Sequence, residues 1–318
     1  MQRIDEIDFL KGFFIVLVIS FHLVYIGNLY PYAKRVVYTF HMPGFLFISG
    51  YLMNIHRRWR AIMRTMLHYA IPYLLMEGSY IMMASVLPIR EHLDSLTVWI
   101  FLDRLLLHPL GPYWYLQTLI VCGIVYAVIF RLHFMKPASR FILLGIIYYL
   151  ISDKVDILSF ACSLYFLAGA MLKHSGLSFS NLFQSSSVAI LAFILLAIHP
   201  KNLQRETSGG ILMTILVMSA VLFVNNHIGA RFRCLMLFLG RKTMPLFLFS
   251  PIFTFLCKPF VPFLQFDPTG LIFLLLSLVI CISGSLGVEW LMDKAIHRIP
   301  FSFIFQPFIY SLIIKHFG

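Results

Sequence analysis

Three ionisable side chains stand inside long apolar stretches near the start of this chain. Lys11 and His22 lie in the apolar segment 9–27, and His41 lies in the next one, 36–55. Ionisable groups at membrane depth are costly to bury, face the protein interior and are therefore functional candidates. An imidazole can take a proton from a hydroxyl near neutral pH, and an ammonium group can bind an anion. These three residues are therefore the first candidates for a functional site.

The spacing of Lys11 and His22 places them on one side of a predicted helix. They are eleven residues apart, so at about 100° and 1.5 Å per residue they differ by roughly 20° around the axis and roughly 16 Å along it. One helix is thus predicted to line a path with a cation near one membrane face and an imidazole near the other. Pro43 and Gly44 follow His41 and are predicted to interrupt the second helix there.

The elements that position these groups follow from composition. The chain has 318 residues, of which 60% are hydrophobic and 12% are charged, whereas a soluble domain has about 25% charged residues. Apolar runs recur along the whole length, which predicts an all-α, polytopic helical bundle forming one membrane domain over residues 1–318. The net charge of +12 sits in short loops, so we interpret it as a topology signal and exclude nucleic acid as a partner.

Ten membrane spans are predicted, at 9–27, 36–55, 67–87, 111–130, 141–152, 157–172, 187–199, 210–226, 244–264 and 270–292. Lys and Arg are about twice as frequent in the loops on one side of these spans as on the other. The basic side is expected to be cytoplasmic, which places both termini in the cytoplasm.

The rest of the chain offers a few further candidates for functional residues. The densest basic cluster follows the second span and comprises Arg57, Arg58, Arg60 and Arg64. It is predicted on the same side as Lys11, and it serves either as a phosphate site or as an orientation signal touching anionic lipid. Glu77 falls midway along the third span, where it is either a catalytic residue or paired with an internal His or Arg. Trp114 and Tyr115 begin the fourth span, and Arg241 and Lys242 are interpreted as loop charges.

The motifs resemble those of the acyltransferase-3 family, multi-pass bacterial enzymes that O-acylate carbohydrates. The residues that carry this resemblance are Arg3-Ile4-Asp5, the basic-X10-His arrangement from Lys11 to His22, Phe40-His41-Met42-Pro43, Phe47-Ile48-Ser49-Gly50-Tyr51, Tyr113-Trp114-Tyr115-Leu116 and Leu239-Gly240-Arg241-Lys242-Thr243. The Phe-His-Met-Pro form is most similar to the branch of fucose 4-O-acetylase-like proteins. Lys11 stands where the family often has Arg, and Ser250 stands where it often has His.

The resemblance implies an O-acyltransferase, in particular an O-acetyltransferase, of the inner (cytoplasmic) membrane. The acyl group would come from cytoplasmic acetyl-CoA or another acyl-CoA, without a metal, and pass to a carbohydrate hydroxyl on a glycan or lipid-linked sugar. The CoA phosphates would bind Lys11 and the arginines at 57, 58, 60 and 64. His22 would be the base or a transient acyl carrier, and His41 would orient the acceptor or stabilise the oxyanion.

Several alternatives stay open at the level of sequence. Broken helices with buried ionisable groups also suit a transporter or exporter of a polysaccharide or small solute, and a non-catalytic membrane scaffold is a third possibility. Lys11 can simply reach the interface with its ammonium group. Trp114 and Tyr115 are assigned to sugar stacking on side-chain type, whereas Ser49-Gly50 is interpreted as a close helix-packing site.

Overall fold

A computed structural model describes residues 3–86 and 91–298 of the chain, with side chains as far as residue 294. The described residues form fourteen α-helices, short 3₁₀ turns and no strand, which confirms the predicted all-helical class. The helices group into two compact units, the first containing residues 3–41 and 183–298 and the second residues 42–86 and 91–182. The predicted cytoplasmic C-terminus, at residue 318, lies outside the described residues.

The first unit is built around the N-terminal helix. Its helices are α1 (Asp5–His22), α2 (Val24–Leu29), the first half of α3 (Pro31–Leu52), α10 (Ser187–Ile198), α11 (Ser208–His227), α12 (Ala230–Arg241), α13 (Thr243–Leu256) and α14 (Leu271–Arg298). Helix α1 packs against α11, α12, α13 and α14. It therefore carries its side chains through the centre of this unit.

A pair of glycines sets the crossing of α1 and α12. A Cβ on Gly12 would overlap the backbone carbonyl of Met236, and a Cβ on Gly240 would overlap that of Asp8. Each glycine thus receives the backbone of the other helix, as in the close helix pairs of membrane proteins. This contact fixes the height of α1, and with it Lys11 and His22, against α12.

The second unit has its own glycine crossing. It comprises the second half of α3, α4 (Trp59–Val86), α5 (Val98–Leu106), α6 (Trp114–Ile129), α7 (Pro137–Val155), α8 (Phe160–His174) and α9 (Phe179–Leu182). A Cβ on Gly50 would overlap the carbonyl of Phe166, and one on Gly169 would overlap that of Phe47. The interpretation of Ser49-Gly50 as a helix-packing site is thus confirmed at Gly50.

The number of ten membrane spans is not confirmed. Among the described residues, three helical stretches are long and apolar enough to cross a membrane: Gly111–Ile129, Ser208–His227 and Leu271–Lys294. A fourth is possible if α12 and α13, which meet at 85°, form one bent span. Helix α10 has 12 residues, roughly 18 Å, which is short of the hydrocarbon thickness. Helix α1 is not one of these candidate spans, because its first turn holds three acidic residues, Asp5, Glu6 and Asp8.

The opening hairpin differs from the prediction in two ways. The span 9–27 is broken at Leu23, whose backbone is extended between α1 and α2. The segment between the predicted spans 9–27 and 36–55 is largely helical, because α2 continues to Leu29 and α3 begins at Pro31. Proline is well tolerated at the first position of a helix, where its missing N–H has no intrahelical partner to lose.

The predicted interruption at Pro43-Gly44 is wrong. Helix α3 runs without a break from Pro31 to Leu52 with Pro43 inside it. Proline costs one backbone hydrogen bond in a helix interior, a loss that apolar packing on both sides can offset. Phe40, Phe45 and Leu46 around this position are buried, so packing holds the helix continuous.

Candidate active site

His41 is a buried histidine on α3, 3% exposed. Its Nδ1 lies 2.7 Å from the Val37 carbonyl oxygen one turn earlier. Because a carbonyl oxygen can accept but not donate, Nδ1 must carry a hydrogen, and Nε2 keeps the lone pair in the neutral ring. His41 can therefore accept a proton or a hydrogen bond through Nε2.

His22 repeats this arrangement at the end of α1. It is half-buried, and its Nδ1 lies 2.7 Å from the Val18 carbonyl oxygen. The same argument gives the neutral ring an Nε2 with a free lone pair. Lys11 and His22 both lie in the unbroken part of this helix, so their predicted spacing on one side of α1 holds.

Tyr38 brings the two histidines together. The centroid of its ring lies 6.2 Å from that of His22 and 5.2 Å from that of His41, tilted by 36° in each case. Its hydroxyl donates to the Phe21 carbonyl at 3.2 Å and so ties α3 to the end of α1. We refer to His22, Tyr38 and His41 as the histidine–tyrosine cluster.

Two cations act on this cluster. The Lys34 ammonium lies 5.5 Å from the Tyr38 ring centroid and acts electrostatically on His22, and Arg205 acts on His41. Positive charge beside a reacting group stabilises negative charge that develops there. The cluster thus joins hydrogen-bond acceptors to a positive field, which suits chemistry on a hydroxyl.

Lys11 belongs to a separate group of charges at the start of α1. Its ammonium lies 2.9 Å from the carboxylate of Asp8, which is 4% exposed. The same carboxylate meets the Arg3 guanidinium at 3.0 Å and that of Arg241 at 3.6 Å. This Asp8 cluster places three cations around one buried carboxylate. Lys11 is held by Asp8 and does not stand alone.

The two loop charges at the α12–α13 bend are also paired. Arg241 reaches Asp5 at 3.3 Å in addition to Asp8, and Lys242 lies 2.9 Å from Glu289 on α14. The sequence did not indicate these ion pairs. Their ion pairs connect the bend to α1 and α14.

The four arginines lie in the second unit and are all exposed. Arg57 and Arg58 are in the turn before α4, and Arg60 and Arg64 are in its first turns. Exposed guanidinium groups can form bidentate pairs with phosphates. Their role in binding CoA stays a prediction.

Glu77 is fully buried in α4. One of its carboxylate oxygens accepts a hydrogen bond from the Leu110 backbone N–H at 2.6 Å. The other has no hydrogen-bond partner among the described residues. Glu77 therefore anchors the turn that leads into α6, a positioning contact that the sequence did not indicate, and its predicted catalytic role stays a prediction.

The two aromatic residues assigned to sugar stacking differ in exposure. Trp114, the first residue of α6, is half-buried. Tyr115 is 9% exposed, and its hydroxyl lies 2.8 Å from the Ser49 hydroxyl. Its position favours a role in packing α3 against α6, while Trp114 keeps the more accessible ring.

Sequence reasoning missed Tyr38, Asp8 and the pairing of Arg241. Two of these had a local signal, because Tyr38 and His41, like Asp8 and Lys11, are three residues apart and so share a helix face. The contact of Arg241 with Asp8 joins residues far apart in the chain, and no local pattern predicts it.

Comparison with known proteins gives one family. The sequence model of a family described as an acyltransferase domain matches residues 4–288, which spans both units. No curated protein and no solved structure matches the chain.

Proposed function

Because this chain belongs to the acyltransferase-3 family, we propose that it is a membrane-bound O-acetyltransferase. It moves the acetyl group of cytoplasmic acetyl-CoA to a hydroxyl of a cell-surface or lipid-linked carbohydrate. The observation that carries the proposal is the histidine–tyrosine cluster, in which both Nδ1 atoms are bound to helix carbonyls. Two imidazoles with accepting Nε2 atoms beside one tyrosine are suited to removing a proton from a hydroxyl.

The proposed reaction needs one base. An Nε2 atom takes the hydroxyl proton, the hydroxyl oxygen attacks the thioester carbonyl, and the carbon–sulfur bond breaks. The CoA thiolate then leaves and takes from the imidazolium the proton that came from the hydroxyl. His22 is the proposed base, or it carries the acetyl group between donor and acceptor.

The hydrogen bond from His41 Nδ1 to the Val37 carbonyl bears on the choice between the two roles predicted for His41. A neutral imidazole that donates through Nδ1 has no second N–H to offer an oxyanion. Its Nε2 can instead accept the hydrogen of the acceptor hydroxyl and orient it. We therefore assign His41 to orienting the acceptor, and developing negative charge to the positive field of Lys34 and Arg205.

The donor is proposed to bind through its phosphates. The Asp8 cluster supplies one group of cations, and Arg57, Arg58, Arg60 and Arg64 supply another. Trp114 is proposed to stack on the acceptor sugar, with Tyr115 supporting α6 behind it. Glu77 is proposed to position the turn before α6.

The test measures thiol release from acetyl-CoA and acetyl transfer to surface glycan by the purified full chain in lipid nanodiscs. Changing His22 to Ala is expected to lower transfer by about 100-fold or more, the contribution of a general base, and changing His41 to Ala is expected to lower transfer through the lost orientation of the acceptor. The matched control is His227→Ala. That histidine makes the same bond, from Nδ1 to Phe223 at 2.8 Å, at an exposed end of α11.

The outcomes separate the enzyme from a transporter. Transfer that survives both active-site variants would remove the cluster from catalysis. Movement of a glycan across the membrane of sealed vesicles that contain the protein, without any consumption of acetyl-CoA, would refute the acetyltransferase and favour an exporter. Equal loss in His227→Ala would show that the variants act through folding.

A further inference from the structure

Helix α5 in the second unit carries an exposed apolar stripe. The stripe consists of Val98, Trp99, Leu102 and Leu106, of which Val98 and Trp99 are 75% and 81% exposed. At about 100° per residue, the four positions fall within an arc of about 100° around the helix axis. The helix has nine residues, a length of roughly 14 Å, so it is too short to cross the hydrocarbon layer. We refer to these four residues as the α5 stripe.

A different side of α5 attaches it to α4. Phe101 and Leu105 are partly buried against a small apolar cluster that contains Ile81 and Ala84 of α4. The Phe101 ring also lies 3.6 Å from the position that a Cβ on Gly78 would take. Because these contacts hold α5 in place, the α5 stripe is not needed to attach the helix to the protein and is open to another apolar surface.

A polar cleft lies beside the α5 stripe. It encloses about 430 Å³, within the range of about 300–1,000 Å³ that is usual for small-molecule sites. Its walls come from residues 92–95 of the preceding loop and from α5, and they carry charges of both signs, on Asp94, Asp103 and Arg104. Trp99 belongs to these walls as well as to the stripe, so the cleft and the apolar surface adjoin at its ring.

The guanidinium group of Arg104 keeps a donor for a ligand. Its Nε atom is buried and has no hydrogen-bond partner within the described part of the chain. The nearer carboxylate oxygen of Asp103 lies 3.8 Å away, which is too long for a hydrogen bond, and the other oxygen of Asp103 lies 2.9 Å from His108 Nδ1. A buried N–H of this kind needs an acceptor, and phosphate oxygens fit the geometry of a guanidinium group well.

The charges of the cleft discriminate between lipid head groups. A phosphate can pair with Arg104, and a primary ammonium group can donate hydrogen bonds to the carboxylates of Asp94 and Asp103. Phosphatidylcholine has a phosphate but a quaternary ammonium group, which has no N–H to donate. Phosphatidylglycerol has no cation and would bring its negative charge toward two carboxylates. The charge pattern therefore fits phosphatidylethanolamine better than either of them.

We infer that α5 and the cleft bind phosphatidylethanolamine, with the head group in the cleft and the hydrocarbon chains on the α5 stripe. Helix α5 then lies in the membrane interface, where short amphipathic helices bury one apolar side and where tryptophan is enriched. The site lies within the second unit. None of its residues has a part in the proposed acetyl transfer, so the inference is independent of the proposed function.

The test is photolabelling of the full chain in phosphatidylcholine nanodiscs, followed by peptide mass spectrometry. The probes are phosphatidylethanolamine, phosphatidylcholine and phosphatidylglycerol, each with a diazirine in one acyl chain. Label on α5 is divided by label on α14, whose residues Val279 and Leu275 are highly exposed and report general contact with lipid. The ratio is expected to be at least about fivefold higher for phosphatidylethanolamine, the selectivity that an exposed charged hydrogen bond supplies. Unlabelled phosphatidylethanolamine is expected to remove this excess.

Two variants examine the two charges of the head group. Asp94→Asn is expected to bring the label from phosphatidylethanolamine down to the level of phosphatidylcholine, because the amide cannot pair with the ammonium group as a carboxylate does. Arg104→Gln is expected to lower the label from phosphatidylethanolamine through the lost pairing with phosphate. The matched control is Asp153→Asn, an exposed carboxylate on α7 that does not line the cleft. The unfolding temperature of each variant shows whether it has folded.

Several results would overturn the inference. Label on α14 without label on α5 would place α5 outside the membrane interface. Equal ratios for the three lipids, a higher ratio for phosphatidylglycerol, or an unchanged preference in a folded Asp94→Asn or Arg104→Gln protein would remove the head-group site. Displacement of the α5 label by purified surface glycan, but not by unlabelled phosphatidylethanolamine, would assign the cleft to carbohydrate instead.

Discussion

Each of the two units buries ionisable side chains but uses them differently. In the first unit His22 and His41 bond to carbonyls of their own helices, and each neutral ring keeps an accepting nitrogen beside Tyr38. In the second unit, one carboxylate oxygen of Glu77 accepts a hydrogen bond from the backbone N–H of Leu110, in a turn distant in sequence. A buried group that faces other side chains can do chemistry, whereas one that binds a loop backbone holds that loop in place. Burial alone therefore does not separate the two roles.

The units are alike in their glycine crossings, which gives the largest expected effect. Gly240→Ala and Gly169→Ala each push a methyl group into a backbone carbonyl, and each should lower the free energy of unfolding by about 3 kcal/mol, the upper end of over-packing costs. The measurement is an SDS titration in mixed micelles. If the units differ in function alone, the two losses should be similar.

Open glycines provide the controls for this comparison. Gly287 on α14 has nothing within 4 Å of an added Cβ, and Gly145 on α7 has one ordinary contact at 3.8 Å. Alanine at these positions should be neutral or stabilising by up to about 1 kcal/mol through helix propensity. A loss at Gly287 equal to that at Gly240 would contradict the close-crossing explanation.

The next effect tests whether Glu77 is a positioning residue. Glu77→Leu leaves the Leu110 N–H buried and unpaired, which should cost about 2 kcal/mol. Glu77→Gln keeps an accepting oxygen, so it should retain stability and acetyl transfer within about twofold. Loss of transfer in a stable Glu77→Gln protein would instead support the catalytic role predicted from sequence.

A smaller effect is expected at the Asp8 cluster. Asp8→Asn removes the anion shared by Arg3, Lys11 and Arg241, whose side chains are partly exposed, so we expect a loss of about 1 kcal/mol. The loss should shrink as salt is raised, because exposed charges are screened. Asp5→Asn, which removes a single pair with Arg241 at 3.3 Å, should change less. A salt-independent loss would mean that packing and not charge holds the cluster.

The smallest effect concerns Tyr38. Tyr38→Phe loses the bond to Phe21 but keeps the ring against both histidines, so it should cost about 0.5 kcal/mol and leave acetyl transfer nearly unchanged. Tyr38→Ala removes the ring and should lower transfer without changing donor binding. If Tyr38→Phe is as inactive as Tyr38→Ala, the hydroxyl takes part directly.

The sequence predicted the helical class, the family resemblance, and the three long apolar spans near 111–130, 210–226 and 270–292. It also selected His22 and His41, because an imidazole in an apolar run is conspicuous without any knowledge of the fold. It failed at two points. The first apolar span breaks at Leu23, although no proline or glycine stands there, and α3 continues through Pro43, which usually ends a helix. At such points the helix propensity of a residue contributes less to the stability of the local structure than the packing around it does.

Tertiary structure decided which buried groups meet. The accepting nitrogen of His41, the binding of Lys11 by Asp8 and Arg241, and the anchoring of the Leu110 turn by Glu77 all depend on contacts between residues on different turns or different helices. A hydrophobic pattern specifies which side of a helix is buried but not what lies against it. The Gly12–Gly240 and Gly50–Gly169 crossings supply that information, because close backbone approach fixes how each helix pair is seated.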